Sequence, residues 1–319
     1  MFYLKDVYSA RKRISKYVRR TPLVYSKKLS NLLGFNTYLK LENHQVTRAF
    51  KVRGGVNYVL SNEDEALKSG LITASTGNHA QSIAYAGSII GAKVVVVMPH
   101  GVSRVKVDAV KDLGAEVIFY GKVFDEALDY ALDLSKNKGM KFVHSVNESL
   151  LYPGVGTMHL EVLEDLPEVN VVINPIGGGS GASSGVIIYK TVNPKIKVIG
   201  VQAEGAPSVY LSIKEGKVVS TGEARTAAEG LATSRAYDFS FNILKGRIDD
   251  VVLVSDREIF RAVKLLVETE REIAEPAGAA SLAAALKLKN TEDINVVLMV
   301  TGGNIDIPIL SKLLQSQED

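Results

Sequence analysis

The sequence predicts an α/β protein made of two doubly wound domains with mostly parallel sheets and a ligand cleft between them. The chain has 319 residues, short β-branched runs alternate with helix-like segments, and loops rich in glycine or asparagine follow three of these runs. Single hydrophobic cores stop growing at about 250–300 residues, so a chain of this length has room for two. Strands buried in parallel sheets read as continuous apolar runs, and these runs have that character.

One series of alternating segments lies between residues 67 and 146. Its strand-like runs are LITAS (71–75), AKVVVVMP (92–99), AEVIFYG (115–121) and KFVHS (141–145). The helix-like segments between them end in glycine, as is typical of βαβ units. We therefore expect residues 67–146 to form a small inserted α/β domain.

The other strand-like runs lie on both sides of this insert. They are NTYLKLEN (36–43), VNVVINPI (169–176), IKVIGVQAE (196–204), DDVVLVSD (249–256) and INVVLMVTGG (294–303). The two flanking parts of the chain, 1–66 and 147–319, are expected to build one larger domain. Ligands of such folds bind outside the carboxyl ends of the strands, which places the site in the cleft between the domains.

The composition excludes several classes of function. The chain has no cysteine, which rules out disulfides, thiolate nucleophiles and thiolate metal sites. The net charge is only +3, and the most basic run, residues 8–20, is interpreted as the solvated face of a helix, so we expect no nucleic-acid partner. No apolar run has the length of a signal peptide or a membrane span, so we expect a cytoplasmic protein without a membrane partner.

The first loop that carries chemistry is ASTGNHAQ, residues 74–81. Ser75 and Thr76 suit the start of a helix, and Gly77 allows a tight turn there. The free N–H groups and the dipole of a helix N-terminus attract an anion. Asn78 and His79 either point into the cleft or cap the turn. If they point inward, a substrate carboxylate is the expected guest.

The second loop is NPIGGGSGASSG, residues 174–185. Its flexible positions are Gly177, Gly178, Gly179, Ser180 and Gly181. Three consecutive glycines let backbone N–H groups surround a phosphate. An alternative is a nicotinamide dinucleotide site, because GGGSGA fits G-x-G-x-x-A and Glu204 ends the next strand.

A third loop and one lysine complete the set. In VTGGNID (300–306), Thr301 ends a strand, so its hydroxyl can project into the same cleft. Lys51 lies in TRAFKVRGG, beside Phe50 and between Arg48 and Arg53. An apolar neighbour and nearby cations lower the pKa of an amine and make it a nucleophile toward carbonyls, provided that they lie close. With a phosphate loop and a carboxylate loop, this favours a Schiff base between Lys51 and pyridoxal phosphate.

The stretches TRAFKVRGG, STGNHAQ, IGGGSG and TGGN, in this order over nearly the whole chain, resemble the pyridoxal-phosphate enzymes of fold type II. Within that group the chain is most similar to the threonine dehydratase and serine racemase branch, particularly the short catabolic dehydratases. The resemblance implies that the cofactor lies in the cleft between the domains. It also implies a homodimer.

The resemblance implies a role for each matching position. Lys51 would hold the cofactor, Phe50 would pack at its ring, Asn78 would bond the phenolic oxygen of the ring, and Thr301 would face the ring nitrogen. The phosphate would be held by Gly177, Gly178, Gly179, Ser180 and Gly181. The substrate carboxylate would be bound by Ser75, Thr76, Gly77, Asn78 and His79.

The activity implied is a lyase reaction of amino acid metabolism: L-threonine, and also L-serine, would lose water and then ammonia to give a 2-oxo acid. The alternatives are serine racemisation, since Thr76 carries a hydroxyl where a racemase has a serine, and dehydration of a hydroxyaspartate or hydroxyectoine-type acid. Arg48 and Ala49 depart from the usual Thr-Gly-Ser-Phe-Lys pattern and leave the substrate open. Tyr210 stands where relatives that bind a divalent cation have a carboxylate six residues after Glu204, so no metal is assigned.

Overall fold

Two mainly parallel sheets organise the computed structural model, which describes residues 1–288 and 293–315. The strands are β1 Leu23–Tyr25, β2 Asn36–Leu41, β3 Leu71–Ala74, β4 Val94–Met98, β5 Glu116–Phe119, β6 Lys141–Phe142, β7 Val171–Pro175, β8 Lys197–Ala203, β9 Asp250–Val254 and β10 Asn295–Val300. The helices are α1 Leu4–Ile14, α2 Lys27–Leu33, α3 Lys51–Ser61, α4 Glu63–Ser69, α5 Asn78–Ile90, α6 Arg104–Lys111, α7 Phe124–Lys138, α8 Leu151–Asp165, α9 Ser180–Val192, α10 Ser208–Glu215, α11 Asp238–Leu244, α12 Asp256–Glu270, α13 Pro276–Ala285 and α14 Ile307–Gln315.

The larger sheet has the strand order β1-β2-β10-β7-β8-β9. All neighbours in it are parallel except β1 and β2. β7 and β10 pair directly, so their carboxyl ends and the loops that follow meet at one edge of the sheet. Each predicted run forms a strand. β1 was missed because three residues between Pro22 and Ser26 are too short to show a period.

The smaller sheet has the order β5-β4-β3-β6 with every neighbouring pair parallel. Its buried β4 reads VVVVM, as a strand covered on both faces should. The predicted fold class, α/β with two mostly parallel sheets, is confirmed. We propose that the two domains divide near residues 66/67 and 146/147, as the sequence predicts, because the four strands of this sheet all lie between these points.

Helix α3 joins the two layers, since it packs against both α5 and α8. Its glycines make this packing possible. A Cβ on Gly55 would overlap the hydroxyl and backbone of Ser82 in α5, and a Cβ on Gly54 would lie 3.0 Å from the backbone oxygen of Leu151 in α8. The glycine pair after Lys51 is therefore explained by close helix packing, and Lys51 begins the helix at the junction.

A buried ion cluster fixes the other side of α3. The Arg53 guanidinium donates to both oxygens of Glu42 at 2.8 Å and to Glu161 at 2.7 and 2.9 Å. The Lys40 ammonium donates to Glu161 at 2.6 Å. Arg53, Lys40 and Glu42 are fully buried. The cluster connects β2, α3 and α8 with two positive and two negative charges. Among residues 1–288 and 293–315, no helix is both long and apolar enough to cross a bilayer.

Candidate active site

The predicted loops meet around the first residues of α3. The backbone N–H of Phe50 donates to the carbonyl of Thr301 at 3.1 Å, and that of Gly303 donates to the carbonyl of Arg48 at 2.9 Å. Ala49 and Gly302 form an antiparallel bridge between these two bonds. The segment before Lys51 is thus paired with the loop after β10.

Lys51 also reaches the glycine loop. Its Nζ donates to the Oγ of Ser180, the first residue of α9, at 3.1 Å, and lies 5.3 Å from the centre of the Phe50 ring. Lys51 and Phe50 are only partly buried in a region that is otherwise buried, so they line a cleft. Desolvation lowers the pKa of Lys51 from 10.5 to about 8. A larger fraction of this amine is therefore neutral at physiological pH than of an exposed lysine.

The two arginines beside Lys51 do not have the effect that the sequence led us to expect. Arg53 points into the buried cluster, where Glu42 and Glu161 compensate its charge. Arg48 is exposed, with a left-handed backbone φ of 58°. Burial of the amine alone lowers the pKa of Lys51. The expectation was wrong because adjacent positions at the start of a helix point in different directions.

The glycine loop presents backbone donors. The N–H groups of residues 177–182 donate to no acceptor within the described ranges, and they lie at the N-terminus of α9. Side chains at three positions would meet protein atoms: Gly177 faces the Gly230 carbonyl, Gly178 faces Val146, and Gly179 has a φ of 95° beside Ser240. The glycines are thus required by the fold, and the same fold leaves a row of free amides at a helix N-terminus, which is a phosphate-binding arrangement.

The loop before α5 lies partly exposed at the same cleft, from Ser75 to Asn78. The Ser75 hydroxyl accepts from the N–H of Gly77 at 3.2 Å, which shapes the turn. The buried His79 ring contacts the Val143 carbonyl at 3.1 Å. Burial, together with the charge of Lys51, lowers the pKa of His79 to about 3, so its ring is neutral. Its backbone N–H, at the helix start, is the group available to a carboxylate.

Sequence reasoning missed two residues of this site, Glu275 and Asn304. The Asn78 amide nitrogen donates to Glu275 Oε1 at 2.6 Å, and the Asn78 amide oxygen accepts from the Asn304 amide at 2.7 Å. Asn304 lies in the TGGN stretch and Glu275 directly precedes the Pro276 that begins α13. A carboxylate before a helix-starting proline was the available signal, but nothing in the sequence relates it to Asn78, 197 residues away.

These residues fit pyridoxal phosphate. A partly buried lysine with a lowered pKa suits its aldehyde, free amides at a helix N-terminus suit its phosphate, and the Thr301 hydroxyl follows the paired strand β10. A metal centre has less support, since no group of three or more histidine, aspartate or glutamate side chains is clustered in the described parts of the chain. Glu204 contributes instead to an ion pair with Lys287 at 3.7 Å.

Comparison with known proteins settles the family. The model of the family described as pyridoxal-phosphate dependent enzyme matches residues 14–302. This chain belongs to that family. Its cofactor is therefore pyridoxal phosphate, and the alternative of a nicotinamide dinucleotide on the glycine loop is not supported.

Several members of the family are similar over nearly the whole chain. An L-threonine ammonia-lyase of Thermotoga maritima is 38% identical over 314 residues, 98% of this chain and 78% of the relative. A catabolic L-threonine dehydratase of Staphylococcus aureus is 38% identical, covering 98% of this chain and 92% of the relative. The structure of maize serine racemase superimposes with a TM-score of 0.93 at 31% identity, covering 97% and 96% of the two chains. The resemblance to fold type II enzymes of the threonine dehydratase and serine racemase branch is confirmed.

Proposed function

We propose that this enzyme removes water and then ammonia from L-threonine, and more slowly from L-serine, to give 2-oxobutanoate and pyruvate. Similar relatives carry the name threonine ammonia-lyase or dehydratase at 37–39% identity. The observation that carries the proposal in the structure is the partly buried Lys51 amine, 3.1 Å from Ser180 at the start of the glycine loop helix.

Pyridoxal phosphate, when bound, supplies an electron sink for the pair left on Cα. The residues of this chain supply the proton transfers and the positioning. Neutral Lys51 is the group that can take the Cα proton, because its pKa of about 8 leaves roughly a tenth of it unprotonated at pH 7. The free N–H groups at the start of α5 would hold the substrate carboxylate, and those of residues 177–182 the cofactor phosphate.

The balance of the reaction is simple. The Cα–H and Cβ–O bonds of threonine break, one water leaves, and one water later replaces the nitrogen, so the net products are 2-oxobutanoate and ammonia. Thr301, a neutral hydroxyl, would face the ring nitrogen. A hydroxyl does not hold a proton on that nitrogen as a carboxylate would, which favours prompt loss of the β-hydroxyl.

The test is a substrate assay on the purified holoenzyme. We expect 2-oxobutanoate from L-threonine, pyruvate from L-serine at a lower rate, and loss of both with Lys51→Ala. Failure to form either keto acid, with pyridoxal phosphate bound, would refute the proposal.

Serine racemisation is the second candidate, because Thr76 places a hydroxyl on the loop before α5 and the maize racemase shares the fold at a TM-score of 0.93. Measuring D-serine and pyruvate from the same L-serine incubation separates the two activities. A third candidate is a hydroxyaspartate or hydroxyectoine-type acid, which the exposed Arg48 could attract. A substrate panel with the Arg48→Gly variant tests it.

We also propose a cytoplasmic homodimer, as the resemblance implies. Sedimentation equilibrium of the holoenzyme would give a mass of about twice 34.5 kDa. A monomer at micromolar concentration would contradict this assembly.

A further inference from the structure

Glu275 occupies an unusual position at the start of a helix. It immediately precedes α13, yet its side chain makes no capping bond to that helix. Its carboxylate is turned instead toward Asn78, at 2.6 Å, and is packed so closely on Gly302 that a Cβ there would overlap Oε1. The backbone N–H of Glu275 donates to the Gly302 carbonyl at 3.0 Å. The carboxylate is therefore held between the residue after Thr301 and the amide of Asn78.

The orientation of the Asn78 amide is determined by a chain of donors and acceptors. The Thr47 carbonyl can only accept, so the Asn304 amide nitrogen must face it, at 2.9 Å. The same nitrogen donates to the Asn78 amide oxygen at 2.7 Å. The Asn78 nitrogen then faces Glu275, which must accept. The second N–H of Asn78 has no acceptor among the described residues.

We propose that Glu275 is a positioning residue for the cofactor, which acts through Asn78 by holding the donor side of this amide toward the phenolic oxygen of the ring. The inference rests on the proposed role of Asn78. Without an acceptor at position 275, the amide could rotate and turn its oxygen toward the ring oxygen, where two acceptors would repel each other.

The charges around Glu275 make the arrangement sensitive to pH. Burial raises the pKa of the carboxyl to about 7, against the bond from Asn78 and the field of Lys106 on α6, and with the field of Glu229. Lys106 and Glu229 pair with each other at 2.6 Å, so their charges largely cancel at Glu275. Ionisation of Glu275 near pH 7 then adds a negative charge beside the ring oxygen. The absorbance of the bound cofactor should change over this pH range.

The experiment measures pyridoxal phosphate affinity of the apoprotein by equilibrium dialysis, with Glu275→Leu, Glu275→Gln and the control Glu272→Gln. Glu272 lies three residues earlier, and its carboxylate contacts Asn43 and His44 instead of Asn78. We expect Glu275→Leu to weaken binding about tenfold, since one buried hydrogen bond is lost and an amide is released. Glu275→Gln keeps an acceptor and should bind within about twofold of the parent, as should Glu272→Gln.

Two further measurements separate positioning from folding. In an Asn78→Ala background, Glu275→Leu should cause no further loss of affinity, because its effect passes through Asn78. The absorbance of the bound cofactor should titrate near pH 7 in the parent and lose this step in Glu275→Gln, a result that does not require the Leu variant to fold.

The inference is overturned if Glu275→Leu binds as tightly as the parent, if it loses the same factor without Asn78, or if Glu275→Gln keeps the step near pH 7. In these cases the parent still binds pyridoxal phosphate, and the proposed function stands. A parent protein that binds no pyridoxal phosphate overturns both.

Discussion

The Nζ of Lys51 lies 3.1 Å from the Oγ of Ser180, although 129 residues separate them in the sequence. The two residues begin α3 and α9, and each follows a segment that the larger sheet brings to one edge. Folding thus places an amine with a lowered pKa next to a row of free backbone amides. The predictions below test the cause and the consequence of this relationship.

Lys51→Met should stabilise the apoprotein. The pKa of Lys51 is lower in the folded state, about 8, than in the unfolded chain, so folding is penalised wherever the amine is protonated. The penalty is present below pH 8 and disappears as the pH rises to about 10.5. We expect about 2–3 kcal/mol more stability at pH 7, by urea unfolding, and a smaller gain at pH 9.5. Lys136→Met, on the exposed face of α7, should change stability by less than about 0.5 kcal/mol.

The rate of cofactor attachment to the apoprotein should rise with pH. Only the neutral amine attacks an aldehyde, and the neutral fraction of Lys51 increases up to its pKa of about 8. Stopped-flow absorbance at saturating pyridoxal phosphate should give a midpoint near pH 8 and a plateau above it. A midpoint near 10.5 would show that the amine is solvated.

Glu161→Gln should destabilise the protein by about 3–5 kcal/mol, because it leaves Lys40 and Arg53 buried with one carboxylate between them. Glu164→Gln is the matched control on the same helix. Glu164 pairs with Arg11 and Arg20 at the surface, so its loss should cost less than about 1 kcal/mol. Equal losses for the two variants would exclude a special role for the buried cluster.

Gly177→Ala should both destabilise the fold and weaken cofactor binding. Its Cβ would overlap the backbone carbonyl of Gly230, which cannot move without the segment around it, so we expect a loss of about 1–3 kcal/mol. At Gly77 a Cβ would meet no atom within 4 Å and the φ of −143° suits any residue. Gly77→Ala should therefore keep the thermal midpoint of the parent, and a shared loss would point to loop entropy instead of a clash.

Arg48→Gly should stabilise the protein slightly. Arg48 has a φ of 58°, where a side chain is strained by about 1–2 kcal/mol, and the added freedom of glycine in the unfolded chain offsets about half of the gain. We expect a net gain of at most about 1 kcal/mol. Arg271→Gly, at φ 63° after α12, should behave alike. If only Arg48→Gly alters the substrate panel, its guanidinium contacts substrate.

The alternation of apolar runs was sufficient to predict nine strands, because buried parallel strands such as β4 need β-branched residues on both faces. The short edge strand β1 gave no such pattern. The three loops were predicted because each follows a strand at its carboxyl end, where the fold creates a binding edge.

The side-chain partners within the site could not be predicted in the same way. Arg53 was expected near the Lys51 amine, but two carboxylates from distant segments, Glu42 and Glu161, draw it to the opposite side of α3. Glu275 was not recognised, since its only link to Asn78 is a contact made after folding. The roles of Ser75, Thr76 and Gly77 toward a substrate carboxylate stay predictions.

The most direct test of the central claim is the absorption spectrum of the holoenzyme while L-threonine is added, followed by assay of 2-oxobutanoate. We expect a visible band from cofactor bound to Lys51, a change of that band on addition of threonine, and release of 2-oxobutanoate. The Lys51→Ala variant should lack both the band and the product. A parent protein without a visible band after incubation with pyridoxal phosphate, or one in which Lys51→Ala retains the band and the activity, would contradict the account.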